Sequence, residues 1–531
     1  MALTVEPTGL TDPMHRPGGA DEHWSTDNVG EAMPGVLSPL GASVWWSGAN
    51  NMLGRIAYGL GVFDKTERDS DHCWFRIFYG RGALQVEYLA RVGDRMPGTS
   101  GEEAVKSIFG RAPDDITWNP TRARYPFVLA KLPVVFARSP ARIRAVSKET
   151  DTWWRTQVPR LKQLSHQEAI ATFNEAYTRF DTALTLQSIG LLGCIQPIYD
   201  TLEKVVAKAG VGDIGVLSGS GGAEMAIVSD MWSASRGRIA VADVVASHGF
   251  HGPREGEISS VVWREDPSPL ARLIGEYSQQ DESSSPVARD AENRRRRAAM
   301  QCEVAAAFPS SQRPAVKLAL RLAAERIPLR GVAKRAFLQS LDIGRGAARR
   351  AGEHLALEGR LDDPEDAFYL VPEELTGRLP VNVREIVAFR RERRAEYQQM
   401  RIQSSWQGLP AVLAAVDGTP SAGACINGLG VSAGIVEGTV RVVTDPAFAE
   451  VEPGEVLVSS TTDPSWCSIM MISAALVVDI GSALSHAAVV ARELGVPCVV
   501  NTRTGSAELR TGDRVRVDGA AGTVELLERA G

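Results

Sequence analysis

The stretch from Asp479 to Asn501, DIGSALSHAAVVARELGVPCVVN, sets a single histidine where a phosphoryl dianion could be carried. The apolar run Ala475 to Ile480 reads as a buried strand, broken by Gly481 and Ser482. Ser485 suits a helix N-cap, and the spacing predicts a helix that opens at His486 and runs through Ala-Ala-Val-Val-Ala-Arg-Glu-Leu. Gly495 stops that helix, Pro497 follows, and Cys498 to Val500 begins another strand. Unpaired backbone N–H groups and the positive end of the helix dipole would stabilise about two negative charges on an imidazole held there. Spacing alone is equally compatible with a histidine packed in the first turn of a helix.

A second constellation is HGFHGPREGE, His248 to Glu257, followed by Trp263-Arg264-Glu265-Asp266-Pro267. Gly and Pro fix a non-repetitive backbone that can aim several side chains into one cleft. Deprotonating an acceptor hydroxyl needs a base of near-neutral pKa, and a travelling phosphoryl group needs a cation. His251 suits the base, Arg254 the cation, and Glu257 a group that orients one of them; Arg264 joins them as a substrate-binding candidate. His248 is the competing base, or a packed structural residue. The bare pattern is also that of a surface loop held by salt bridges. Ser218 to Gly222, SGSGG, lacks the lysine of a phosphate-binding loop and reads as a turn entering a helix near Ala223.

The elements that must position these residues divide the chain. Residues 1–25, rich in Pro, Gly, His and Asp, read as a loose leader. Helical patterning dominates 26–401: near Val44 to Leu60, Ser139 to Val158, His166 to Ala209, Pro314 to Arg326, Val332 to Leu357 and Val383 to Arg401. Residues 402–426 mix Gly, Pro and Ser and read as a linker. From Gly428 onward begins a small β-rich domain that carries His486; it is placed at 427–531 and expected to be α/β with a β/β/α arrangement, as the resemblance given below implies. The fold class is therefore multidomain: a large, mainly α-helical domain followed by a small α/β one. At 531 residues both have room for proper cores.

Composition excludes several classes. Charged residues make up 23% and hydrophobic ones 44%, ordinary soluble usage. The net charge of −6 argues against nucleic acid or a membrane surface as partner. Arg294 to Arg297 is flanked by Asp290 and Glu292 and reads as a solvated helix face. The six cysteines show no metal-ligand spacing, so no metal site is expected, and a reduced cytoplasmic setting is the default. Cys467 and Cys498 flank the His486 motif and read as small hydrophobes.

Gly481-Ser482-Ala483-Leu484-Ser485-His486 through Pro497, with Thr462-Asp463-Pro464-Ser465-Trp466 before it and Gly512 to Gly519 after it, resembles the phosphohistidine, or swivelling, domain of the phosphoenolpyruvate-utilising enzymes. The resemblance implies that His486 carries a phosphoryl group, with Thr462, Gly481 and Ser485 as its surroundings. Ser482 replaces the family's second glycine, a mild change if the turn needs no positive φ. Leu484 stands where dikinases and synthases carry a regulatory threonine, so that switch is absent. Upstream, Asn28 to Leu40, Phe78 to Tyr88, Met96 to Gly98, the 248–257 loop and Gly359 to Tyr369 are similar to the acceptor domain of rifampin phosphotransferase-like proteins. This similarity implies that Asn28 and Glu31 bind substrate and that 26–401 is an acceptor domain. No pattern for the family's ATP-grasp domain is found. The implied arrangement is a split dikinase like phenylphosphate and alkylphenol (cresol) phosphate synthases. ATP and Mg²⁺ would be bound mainly on an ATP-grasp partner subunit, and the phosphoryl group would pass from His486 to a small hydroxyl-bearing acceptor such as a phenol. The alternatives are a phosphocarrier that serves another protein, and a relic that only binds ligand.

Overall fold

The computed structural model describes residues 10–27, 29–210, 222–282, 285–413, 423–444, 451–462, 466–483 and 485–530. The chain divides into two compact units, and neither is a single stretch. The first comprises Met1–Gly190, Arg254–Ser260 and Ala333–Ala415, and the second Leu191–Pro253, Val261–Val332 and Val416–Gly531. This division cuts across the sequential one: 26–401 is shared between both units, and 427–531 falls within a larger unit.

The first unit is built on long helices, among them Pro39–Leu60, Tyr125–Gln157, His166–Gly190 and Val383–Gln399. Ser38 caps Pro39–Leu60 by accepting from Gly41 N, and Gly61 ends it at φ 88°, a left-handed conformation that suits glycine. Four antiparallel strands form this unit's sheet, in the order Phe75–Phe78, Arg81–Gln85, His23–Ser25, Ser405–Gln407.

That order corrects two expectations. Residues 10–25 are no loose leader: His23–Ser25 is an inner strand, Met14 and Trp24 are fully buried, and Arg16 N bonds Ile77 O at 2.7 Å. Nor is 402–413 a free linker, because Ser405–Gln407 is paired and Trp406 packs with Trp24, Phe78 and Ala83. In both cases turn-rich composition hides one tryptophan, whose apolar area outweighs the loop-like residues around it.

The second unit pairs helices with an eight-stranded mixed sheet among the described residues. The parallel strands Ile435–Val442, Val456–Ser459, Ala475–Val478 and Cys498–Val500 lie inside it, with antiparallel strands on both sides. The last three are apolar at almost every position, as strands covered on both faces must be. Side chains alternate between two cores. Val456, Val458, Ala475, Val477 and Val499 face one. Leu457, Leu476, Val478, Cys498 and Val500 face the other, which also takes in Ala487, Ala488 and Val490 together with Met231, Trp232, Trp263, Leu270 and Tyr277. The helical stretches before residue 332 and the sheet after residue 425 therefore share one apolar core within this unit. Asn293 Nδ2 adds a 2.6 Å bond to Glu493 O, and Arg297 lies 4.0 Å from the buried Glu493 carboxylate. Arg294 to Arg296 are exposed, but the run ends on a residue that faces protein.

Candidate active site

His486 is the first residue of the helix His486–Leu494 and follows the strand Ala475–Val478 by a short turn. Ser485 is its N-cap, with Oγ accepting from Ala488 N at 3.3 Å, and Gly495 closes the helix at φ 69°. Gly481 is required by close approach, since a Cβ there would meet Val500 Cβ at 3.0 Å and Ser485 Oγ at 3.1 Å. Ser482 is not among the residues with positive φ, so its replacement of glycine costs no backbone strain. Arg492, one side of the helix further on, donates to Ala483 O and Val431 O and pins the turn ahead of the histidine.

The imidazole is held at both nitrogens. Thr462 Oγ1 is 3.2 Å from Nδ1, and Cys467 Sγ is 3.6 Å from Nε2. All three side chains are buried, His486 with 2% of its surface exposed. Composition alone casts Cys467 as a plain small hydrophobe; the structure sets its sulfur against the ring instead. Beneath the site, Asp479 is buried and accepts from Thr502 Oγ1 and Ser506 N. Burial pushes its carboxyl above the ordinary value, against the pull of those donors. Asp463, Pro464, Ser465 and Leu484 lie outside the described residues, as does Ser218 to Gly221 of the glycine-rich turn.

The 248–257 loop is divided at Pro253/Arg254 between the two units. In the second unit, His248 ends the helix Val241–His248, and its Nε2 is 2.8 Å from Asp230 Oδ2. His251 is 7% exposed and lies against the Phe250 ring, centroids 4.1 Å apart, with Trp263 at 6.0 Å. Trp263 N donates to His251 O and Arg264 N to Gly249 O, tying the two halves of the loop together. Arg264 pairs with Glu265 at 3.2 Å. This unit thus brings together His248, His251 and Arg264, and adds Asp230, which no sequence pattern singles out.

The first unit holds the rest. Arg254 adopts φ 54°, a left-handed conformation uncommon for a side chain of its kind, in a turn closed by Glu257 N to Arg254 O. Glu257 does not orient His251 or Arg254. Its carboxylate is buried and accepts from Ser38 N at 3.0 Å, Ser38 Oγ at 2.6 Å and Ser259 N at 2.9 Å. It therefore anchors the start of the Pro39–Leu60 helix. Glu31 lies in the short helix Val29–Ala32, and Asn28 is outside the described residues. Among the described residues, no group of three or more His, Cys, Asp or Glu could hold a metal ion. No helix is long and apolar enough to cross a membrane.

Residues 451–522 match the mobile domain of PEP-utilising enzymes, which encloses His486, Thr462 and Cys467. Residues 234–331 match the fourth domain of rifampicin phosphotransferase, which encloses His248, His251 and Arg264. These two matches support the PEP-utilising enzyme family, on its rifampicin phosphotransferase-like side, for this chain. Among its relatives, a rifampicin phosphotransferase of Streptomyces sp is 30% identical over 410 residues, 73% of this chain and 45% of that one. An uncharacterized protein of Mycobacterium tuberculosis is 31% identical over 295 residues, 53% of this chain and 30% of that one. The uncharacterized phosphotransferase YvkC of Bacillus subtilis is 34% identical over 194 residues, 34% of this chain and 23% of that one. The chain thus spans less than half the length of each of these relatives.

Proposed function

We propose that this chain is the carrier and acceptor part of a split, ATP-dependent phosphotransferase of the dikinase type. The observation that carries this reading is the His486 imidazole, which starts a helix, is fixed at Nδ1 by Thr462, and sits inside the matched mobile domain. The helix end favours negative charge on the ring. With Nδ1–H donating to Thr462 Oγ1, the Nε2 lone pair is the nucleophile. It attacks the β-phosphorus of ATP, forming the N–P bond as the bond between Pβ and the α–β bridging oxygen breaks and AMP leaves with the electron pair; water then removes the γ-phosphate as inorganic phosphate, which leaves the β-phosphoryl on Nε2.

The donor is ATP, held with Mg²⁺ on an ATP-grasp partner subunit. Those groups would supply the activated phosphoryl; no described cluster of this chain fits the metal. The acceptor is a hydroxyl of a small molecule, with a phenol as the proposed class. His251 takes the hydroxyl proton, and Arg264, in the same unit, offsets the moving charge. His486 is too buried to meet a donor directly. Charging therefore requires 427–531 to separate from the helical stretch whose core it shares, as a swivelling domain does.

The test uses the full chain with a separately purified ATP-grasp subunit and β-³²P-ATP. Acid-labile, alkali-stable label on wild type and none on His486→Ala is the expected result. Equal labelling of the chain without any partner would refute the split arrangement.

A further inference from the structure

Thr462, His486 and Cys467 form a buried row, with Thr462 Oγ1 beside Nδ1 of the imidazole and Cys467 Sγ beside Nε2. We infer that Cys467 is a positioning residue that gates the reactive nitrogen: its sulfur fills the space a phosphoryl group on Nε2 would take, so the thiol must withdraw before His486 can be charged. The inference rests on reading His486 as the carrier, but it asks which group controls access to it.

The geometry gives the two neighbours different parts. Thr462 Oγ1 stands at Nδ1, where a hydroxyl accepting from N–H holds the tautomer that leaves Nε2 its lone pair. Cys467 Sγ stands at Nε2, close enough for a weak S–H donor to cap that lone pair. Cys467 begins the helix Cys467–Ile472, whose Ile469 and Met470 are fully buried in the core. Its backbone is thereby fixed, and the sulfur clears Nε2 by turning about χ1 or by shifting that helix. A phosphoryl group and the sulfur cannot share the space. The gate therefore couples the state of the thiol to the state of the histidine.

Phosphoramidate tests this without ATP, a partner or an acceptor. The Nε2 lone pair forms the new N–P bond, the P–N bond of phosphoramidate breaks, and ammonia leaves with the electron pair. Cys467→Ala should label at His486 about two- to tenfold faster than wild type, the weight of moving one packed side chain off its rotamer. Cys467→Leu should label more slowly than wild type. In the wild-type protein, phosphoryl loading should speed alkylation of Cys467 by N-ethylmaleimide, and acid removal of the phosphoryl group should reverse the change. Cys302 and Cys425 are exposed and serve as reference thiols that loading leaves unchanged. Cys498 is the silent control, since burial pushes its thiol up to about 12. If Cys467→Ala does not fold, the alkylation arm in the wild type decides. Label on Nδ1, equal labelling of wild type and Cys467→Ala, or alkylation of Cys467 indifferent to loading would each overturn the gate. None of these depends on transfer to a hydroxyl, so failure of delivery to an acceptor would leave the gate standing, and loss of the gate would leave His486 as the carrier.

Discussion

The surroundings of His486 and the 248–257 loop are built in opposite ways. Around His486, Thr462, Cys467, Asp479, Gly481, Ser485, Arg492 and Val500 come from one run of fewer than 40 residues. Around the loop, Asp230 lies only 18 residues from His248, but Ser38, which holds Glu257, is 219 residues away, and Lys334, which pairs with Glu255, is also distant in the chain. A locally closed unit can move as a body with its chemistry intact. The Arg254–Ser260 side of the loop, tied to such distant anchors, cannot move without loosening the helix that holds it. The difference suits a carrier in the first case and a fixed acceptor station in the second.

The hardest test of that contrast removes one group from each side. His486→Ala should abolish phosphoryl loading altogether, because His486 is the histidine inside the matched mobile domain; His166 also opens a helix, but lies outside that match. His251→Ala should leave loading intact and slow delivery to the hydroxyl acceptor by about 10²–10⁴, the usual loss with a general base. Single-turnover decay of pre-loaded His486 separates the two steps. Decay in His251→Ala matching that in wild type would move the acceptor station away from this loop and leave the comparison without its second half.

The same contrast explains what could be read from the sequence. The strand, turn, helix and strand around His486 are legible because their signals lie side by side: an apolar run, Ser485 as cap, Gly495 as stop. The long helices of the first unit are legible from periodicity, as Pro39–Leu60 and His166–Gly190 show. Glu257 was not legible. Five polar side chains in a Gly/Pro-rich loop of ten residues give no sign that this carboxylate reaches Ser38, 219 residues away. Nor was Trp24 or Trp406, each of which turns a loop-like stretch into a paired strand. Cys467 is a third kind of case: near in sequence, yet its type suggested packing, and only geometry sets its sulfur at Nε2.

Glu257 sharpens the comparison from the structural side. If it anchors a helix and takes no part in transfer, Glu257→Ala should cost about 3 kcal/mol, the upper end for orphaning buried hydrogen-bonding groups. Ser38 N and Oγ would lose their acceptor, and the Pro39–Leu60 helix its tether. Urea unfolding should show the loss while phosphoramidate loading of His486 stays within twofold of wild type, about 0.4 kcal/mol. Unchanged stability with a large loss of delivery would return Glu257 to a role in the chemistry.

The smallest effect concerns the start of the chain, whose anchors are also distant. His23 Nδ1 lies 2.7 Å from Glu87 Oε1, and its Nε2 lies 3.0 Å from Asp115 Oδ2. Burial is the largest single influence and pulls the imidazole pKa down, but the bonds to Asp115 and Glu87 together outweigh it, so the folded value is raised. Folding therefore favours the protonated ring. Its contribution is full below the unfolded value of about 6.5 and is lost as pH climbs through the raised folded value. Asp115 is exposed, so solvent screening holds the contribution to below about 1 kcal/mol. In urea unfolding, wild type should exceed His23→Gln in stability at pH 5.5 to 6, and the gap should narrow towards pH 9. A gap that stayed constant or widened with pH would mean that His23 holds its strand by shape and not by charge. The inner strand His23–Ser25 would then owe its place to Trp24, and the distant carboxylates would be neighbours without effect.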